Sequence, residues 1–159
     1  MTEGVFVEAT APAIQALAEL EALLASLSDA DLHRAHPDGG WTCAQVVSHI
    51  HLSGMLLIAA LERLRHRPEL FIFREELGHD AVGATPHSSA EAAARIASLR
   101  TALAECMPAV DPSIADREVE VPPFGRFPIG TGSPLIAAHL AGHCGQIREI
   151  LQVRGVLSG

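Results

Sequence analysis

The 159-residue chain contains no lysine, no tyrosine and no asparagine. Without lysine there is no phosphate-binding lysine of a Walker loop, no Schiff-base nucleophile and no attachment point for pyridoxal phosphate. Without tyrosine there is no phenolic acid or base. The 11 positive charges are all arginine, and 19 carboxylates outnumber them to give a formal net charge of −8. No broad basic surface for nucleic acid is expected on such a chain. Long hydrophobic runs are also missing. Stretches such as residues 55–61 fall far short of the roughly 20 residues that cross a bilayer, so no membrane partner is expected. The opening Met1-Thr2-Glu3-Gly4 lacks a basic region followed by an apolar one, unlike a secretory leader. Cysteine is sparse, at positions 43, 106 and 144 only. An odd number of widely spaced cysteines reads as free thiols in a reducing compartment, and a cytoplasmic location is expected.

What is abundant is helix-forming and apolar. Hydrophobic residues make up 48% of the chain, with 26 alanines and 19 leucines, which points to an all-α fold. The length suits a single domain over residues 1–159, large enough to bury a core without disulfides. Four helical segments follow from periodicity. In the first, over residues 10–27, Ile14, Leu17, Leu20, Leu24 and Leu27 recur at three- and four-residue steps, with Thr10 as N-cap and Pro12 in the first turn. A turn-rich connector carries His36-Pro37-Asp38-Gly39-Gly40. The second helix opens on a capping box, Thr42-Cys43-Ala44-Gln45, and runs through Val46, Ile50, Leu57 and Leu61 to about Arg65, where Pro68 stops it. Residues 69–87 read as a partly ordered loop. The third helix opens on a second capping box, Ser88-Ser89-Ala90-Glu91, buries Ala92, Ile96, Leu99 and Leu103, and ends at Pro108. Between it and the last helix, the alternation of Val119-Glu120-Val121 allows a short extended stretch, but Pro122 and Pro123 argue against a central strand. The fourth helix is expected to start with Ser133 as N-cap and Pro134 in its first turn, and to end near Gly155. Four amphipathic helices are best satisfied as a four-helix bundle, and the long connectors allow a crossover topology.

With few other catalytic groups available, the nine histidines take on weight. His139 and His143 lie four residues apart, about 40° apart around a helix and one turn above each other, so both imidazoles can reach one ion. Gln146 shares their face. Nine histidines place about half a pair at this spacing by chance, so the pair alone also fits two hydrogen-bonded or solvated rings. His49 sits two turns into the second helix, on its core side.

Two motifs carry a family resemblance. Trp41-Thr42-Cys43-Ala44-Gln45-Val46-Val47-Ser48-His49 and His139-Leu140-Ala141-Gly142-His143-Cys144-Gly145-Gln146-Ile147 resemble the DinB/YfiT-like superfamily, and Phe124-Gly125-Arg126-Phe127 resembles the family's lead-in to the last helix. The resemblance implies an up-down-down-up four-helix bundle with a metal held by His49, His139 and His143, and with Gln146 in a supporting role outside the ligand set. His51 points about 200° away from His49 and is set aside. Three neutral imidazoles make an open site that leaves a position for water or substrate. A divalent transition metal is implied, with zinc and nickel foremost, together with a low-molecular-weight thiol as a second cofactor. The implied function is a metal-dependent transferase acting with such a thiol on a small-molecule substrate. One alternative is a hydrolase using a metal-bound hydroxide; another is a non-enzymatic, stress-related metal- or small-molecule-binding protein. No side chain is assigned as catalyst, the reacting species being thiolate or water at the ion. Relatives often pair, so a homodimer is expected.

Bland roles fit the remaining candidates. Cys43, Cys106 and Cys144 read as packing residues, and His33, His36 and His66 as solvated. His79-Asp80 and His87 lie in the long loop and read as surface groups. Gly130-Thr131-Gly132-Ser133 reads as helix capping rather than an anion site, and Glu19, Glu21, Glu62, Glu75 and Glu76 as solvated faces. Metal analysis of the purified protein checks the ligand set: His49→Ala, His139→Ala and His143→Ala are each expected to lose the ion, and a variant that retains it in full removes that residue from the site.

Overall fold

A computed structural model describes residues 4–73 and 80–158. It contains helices α1 (Val5–Ala25), α2 (Asp29–Leu32), α3 (Cys43–His66), α4 (Ser89–Ala109) and α5 (Ile129–Val153). Three short strands, β1 (Phe71–Ile72), β2 (Glu118–Val121) and β3 (Gly125–Pro128), and one 3-10 turn, Pro112–Ile114, complete the described residues.

The four long helices form the bundle. α1 packs against α4 and α5, and α3 packs against the same two, so α1 and α3 stand diagonally opposite. Leu17, Leu20 and Leu24 from α1, Ile50, Leu57 and Leu61 from α3, Ile96, Leu99 and Leu103 from α4, and Leu140, Ile147 and Leu151 from α5 are all buried. Their steps of three, four and seven residues keep one face of each helix inward. The polar ties fix direction. Ser48, near the start of α3, lies 2.9 Å from the Ala84 carbonyl just ahead of α4. Arg154, just past α5, bonds the Ala35 carbonyl ahead of α3. Arg117, next to β2, bonds the Leu64 carbonyl at the far end of α3. Asp29, just past α1, accepts from the Ser89 N–H at the start of α4, so α1 and α5 both run toward the end where α3 and α4 begin, which is the up-down-down-up arrangement. α3 is long and apolar enough to cross a membrane by length and composition, and 56% of that stretch is buried in the bundle, as befits a core helix.

The start of α3 follows the capping box closely. Thr42 Oγ1 accepts from the Gln45 N–H at 3.2 Å and the Thr42 N–H donates to Gln45 Oε1 at 2.8 Å. At α4 the box is only half formed. Ser88 accepts from the Glu91 N–H at 3.1 Å, but the Glu91 carboxylate takes the His87 N–H instead.

Two helix starts differ from expectation. α1 begins at Val5 rather than Thr10. Phe6 is buried and extends the apolar face, while the Thr10 hydroxyl donates to the Phe6 carbonyl at 2.7 Å. Pro12 is thus carried inside the helix; burial has outweighed the backbone bond that proline forfeits. α5 begins at Ile129, five residues before Pro134. No side chain caps it. Instead the Ile129 and Gly130 N–H groups donate to the Arg117 and Ala115 carbonyls at 2.8 and 2.9 Å, so backbone from the preceding turn satisfies donors that a capping side chain would otherwise take. Ser133, buried, donates back to the Ile129 carbonyl at 2.8 Å. It is an interior residue and not a cap.

The strand reading is also corrected. β2 is the central strand of a three-stranded sheet, parallel to β1 and antiparallel to β3. Pro122 and Pro123 stand just past its end, in the turn to β3, where they remove no ladder bond. Part of the expected 69–87 loop is β1, paired Phe71 to Val119. Glu75, Glu76 and His79 lie outside the described residues.

Gly54 of α3 packs against Leu99 of α4. A Cβ there would lie 2.5 and 2.7 Å from the methyl carbons of Leu99, itself fully buried. Overpacking of this kind costs about 1–3 kcal/mol, against about 1 kcal/mol gained in helix propensity. Gly54→Ala is expected to destabilise the fold by about 1 kcal/mol, read as a lower urea midpoint with an unchanged slope.

Candidate metal centre

The phase of two helices brings the histidines together. The capping box starts α3 at Cys43, which puts His49 on the inward face, fully buried. On α5, His139 and His143 are half-buried one turn apart. Because α5 is antiparallel to α3, its second half lies beside the first half of α3.

The three rings meet tip to tip. His49 Nε2 is 3.0 Å from His139 Nε2, and His143 Nε2 is 3.2 Å from the same atom. One ligand atom from each residue lies within 4.8 Å of the others. The rings pack edge to face, at interplanar angles of 76°, 78° and 88°. Three nitrogens about 2.0–2.1 Å from one tetrahedral ion would stand about 3.3 Å apart, so the spacing fits a transition metal with modest adjustment.

Hydrogen bonds fix the tautomers in the sense that such an ion requires. His49 Nδ1 is 2.6 Å from the Ala81 carbonyl oxygen. That oxygen can only accept, so Nδ1 carries the proton and Nε2 offers a lone pair. His143 Nδ1 is 2.7 Å from Gln146 Oε1, which leaves its Nε2 in the same state. Two lone pairs therefore face His139 Nε2, which has one proton at most to give when neutral. A cation at the centre of the triangle would satisfy all three nitrogens at once. Trp41 packs beside the cluster, its ring centre 4.8 Å from that of His49 and 6.0 Å from that of His143.

The other candidates lie elsewhere. His51 is half-buried on a different face of α3, and burial, reinforced by Arg95, lowers its pKa. His33 bonds the His87 carbonyl at 3.1 Å, His36 faces Asp38, and His66 pairs with Glu62 at 3.0 Å. Glu19 accepts from Gln15 and Glu21 pairs with Arg100 at 2.8 Å. Burial pushes the Cys43 thiol up to about 11 and the Cys144 thiol up to about 12, and raises Cys106 as well. Sequence reasoning missed one contributor, the Ala81 carbonyl. Every residue has a carbonyl, so no side-chain pattern could have singled it out.

Fold and site together define an up-down-down-up four-helix bundle with an inward-facing three-histidine cluster near one end. The sequence profile of the DinB superfamily matches residues 14–147, and the chain belongs to that superfamily. Two solved structures are similar. YfiT from Bacillus subtilis, described as a probable metal-dependent hydrolase with an unusual four-helix bundle topology, aligns with a TM-score of 0.75 at 18% identity, over 94% of this chain and 87% of its own. A DinB-like protein from Bacillus cereus ATCC 10987 aligns with a TM-score of 0.67 at 18% identity, over 97% and 93%. No curated protein matches the chain.

The raised thiols give a pH test. A thiol pKa near 11 keeps Cys43 protonated at neutral pH, so almost no thiolate is present to attack. Iodoacetamide is expected to label Cys43 and Cys144 far more slowly than a free cysteine at pH 7, and faster as pH rises. Denaturant should abolish the difference. Labelling of the folded protein at the free-cysteine rate would contradict the burial.

Proposed function

We propose that the protein is a metal-dependent enzyme that transfers a low-molecular-weight thiol to a small electrophile at the three-histidine centre. The convergence of three imidazole Nε2 atoms, two of them with their tautomers fixed by Nδ1 bonds, carries this reading. His49, His139 and His143 would hold the ion, and zinc and nickel both suit imidazole. Bound there, the ion supplies Lewis acidity that ionises a thiol or water near neutral pH.

The ligand set supports a thiol as the nucleophile. The Nδ1 partners of His49 and His143 are a backbone carbonyl and a carboxamide, neither of which exchanges a proton near neutral pH. A thiol nucleophile needs only to be ionised and held against its electrophile. Hydrolysis also needs a proton delivered to the leaving group. The three ligands are neutral, so they leave the charge of the ion undiminished for a thiolate. Trp41 packs beside the His49 and His143 rings. Hydrolysis is the second reading, favoured by the description of YfiT as a probable metal-dependent hydrolase.

The test uses metal-free protein reloaded with zinc or nickel. It is assayed for conjugation of small thiols to chlorodinitrobenzene and for hydrolysis of nitrophenyl acetate. Metal-dependent conjugation that His139→Ala abolishes is the expected result. Hydrolysis alone, with a pH–rate profile rising through an apparent pKa of about 7, would replace this reading with the second. Retained metal with neither activity would point to a binding protein and overturn both.

A further inference from the structure

Residues 81–84 cross the start of α3 with three of their four carbonyls turned onto two adjacent residues. Ala81 O meets His49 Nδ1 at 2.6 Å. Val82 O and Ala84 O both meet Ser48 Oγ, the second at 2.9 Å. Gly83, at φ 71°, makes this possible. The left-handed conformation, open to glycine at little cost, turns the chain so that the carbonyls on both sides of it face the helix. A Cβ at Gly83 would sit 3.6 Å from Ser48 Oγ, so the strap lies in direct contact with the hydroxyl.

This attachment is polar rather than apolar. Val82 is half-buried, and Gly83 and Ala84 are exposed, so the position of the strap depends on its hydrogen bonds. Ser48 itself is only 4% exposed. In mid-helix a serine hydroxyl commonly bonds back to its own helix; here it reaches outward to the strap. Arg95 of α4 supplies a second tie, donating to Ala84 O while its guanidinium pairs with Glu91 at 2.7 Å. With Ala84 O served by Arg95, the single hydroxyl proton of Ser48 is free for Val82 O, one residue from the carbonyl that holds His49.

We propose that Ser48 is a positioning residue for the histidine centre: it pins residues 81–84 to α3 so that the Ala81 carbonyl holds the Nδ1 proton of His49 and keeps Nε2 aimed at His139 and His143. The proposal rests on reading the cluster as a metal site. Groups that orient a ligating histidine typically change metal affinity by about 10–100-fold when removed. Ser48 acts on His49 through two intervening bonds, so the lower end of that range is expected.

The experiment titrates Co²⁺ into the metal-free wild type, Ser48→Ala, Gly83→Ala and the double variant. Visible absorption reports ligand geometry. Emission from Trp41, the single tryptophan of the chain, is quenched when Co²⁺ binds beside it. Ser48→Ala is expected to bind Co²⁺ about tenfold more weakly with an altered absorption band, while far-UV circular dichroism stays unchanged. Gly83→Ala is expected to do the same, and the double variant to lose less than the sum of the two, because both act through one strap. Wild-type affinity and spectrum in Ser48→Ala would overturn the role of Ser48 and leave the centre standing. Should Ser48→Ala fail to fold, Gly83→Ala decides alone, with wild-type binding again overturning the proposal. A wild type that binds no Co²⁺, Zn²⁺ or Ni²⁺ overturns the centre and the proposal together.

Discussion

A fully buried imidazole must find partners for both of its nitrogens, and His49 imposes that demand on this bundle. A polar group left unsatisfied in such a place costs about 1–3 kcal/mol. His49 therefore constrains two parts of the chain that are far from it in sequence. On one side a backbone carbonyl from the α3–α4 connection must reach Nδ1. On the other, α5 must present a histidine tip at Nε2. The connection is long because α3 and α4 run in the same direction, so it has to return along the bundle before α4 begins. On that return it passes over the start of α3. The crossover that distinguishes this topology from a simple up-and-down bundle also supplies the partner of the buried ring.

The register of the cluster depends on where two helices begin, and the two beginnings are built differently. α3 is started by a reciprocal pair of side-chain and backbone bonds between Thr42 and Gln45. α5 is started by backbone alone, with Ile129 and Gly130 tied to the turn before β2. A shift of one residue in either helix would swing its histidines by about 100° and separate the tips. The small sheet contributes here, because β3 leads straight into α5 and β2 follows the turn that anchors it.

The bundle was legible because its signals are local and periodic, and the three-histidine set because the motifs around Trp41 and His139 resemble those of the superfamily. Leu17, Leu20 and Leu24 repeat at helical steps, and Thr42 and Gln45 stand at the spacing a cap needs. His139 and His143 share a helix face wherever that helix begins, so the error at Pro134 left the pair intact. What was not legible was decided by distant packing. The extra turns of α1 depend on the burial of Phe6, and the early start of α5 depends on carbonyls supplied by Ala115 and Arg117. β2 became central because Phe71 and Phe127 arrive on either side of it, while the prolines fell outside the ladder. Ala81 and Ser48 were invisible for a related reason. A backbone acceptor has no residue signature, and a serine within a helix gives no hint of a partner more than thirty residues away.

The burial of Cys43 and Cys144 bears on how the chain withstands reactive small molecules. Any protein that meets a soft electrophile is open to alkylation at the amines and thiolates it carries. This chain has no lysine, and its two most buried cysteines are held as neutral thiols inside the bundle. Its charged surface groups are arginine and carboxylate, which react sluggishly with soft electrophiles. The packing that fills the core thereby also keeps these two thiols out of reach of alkylation.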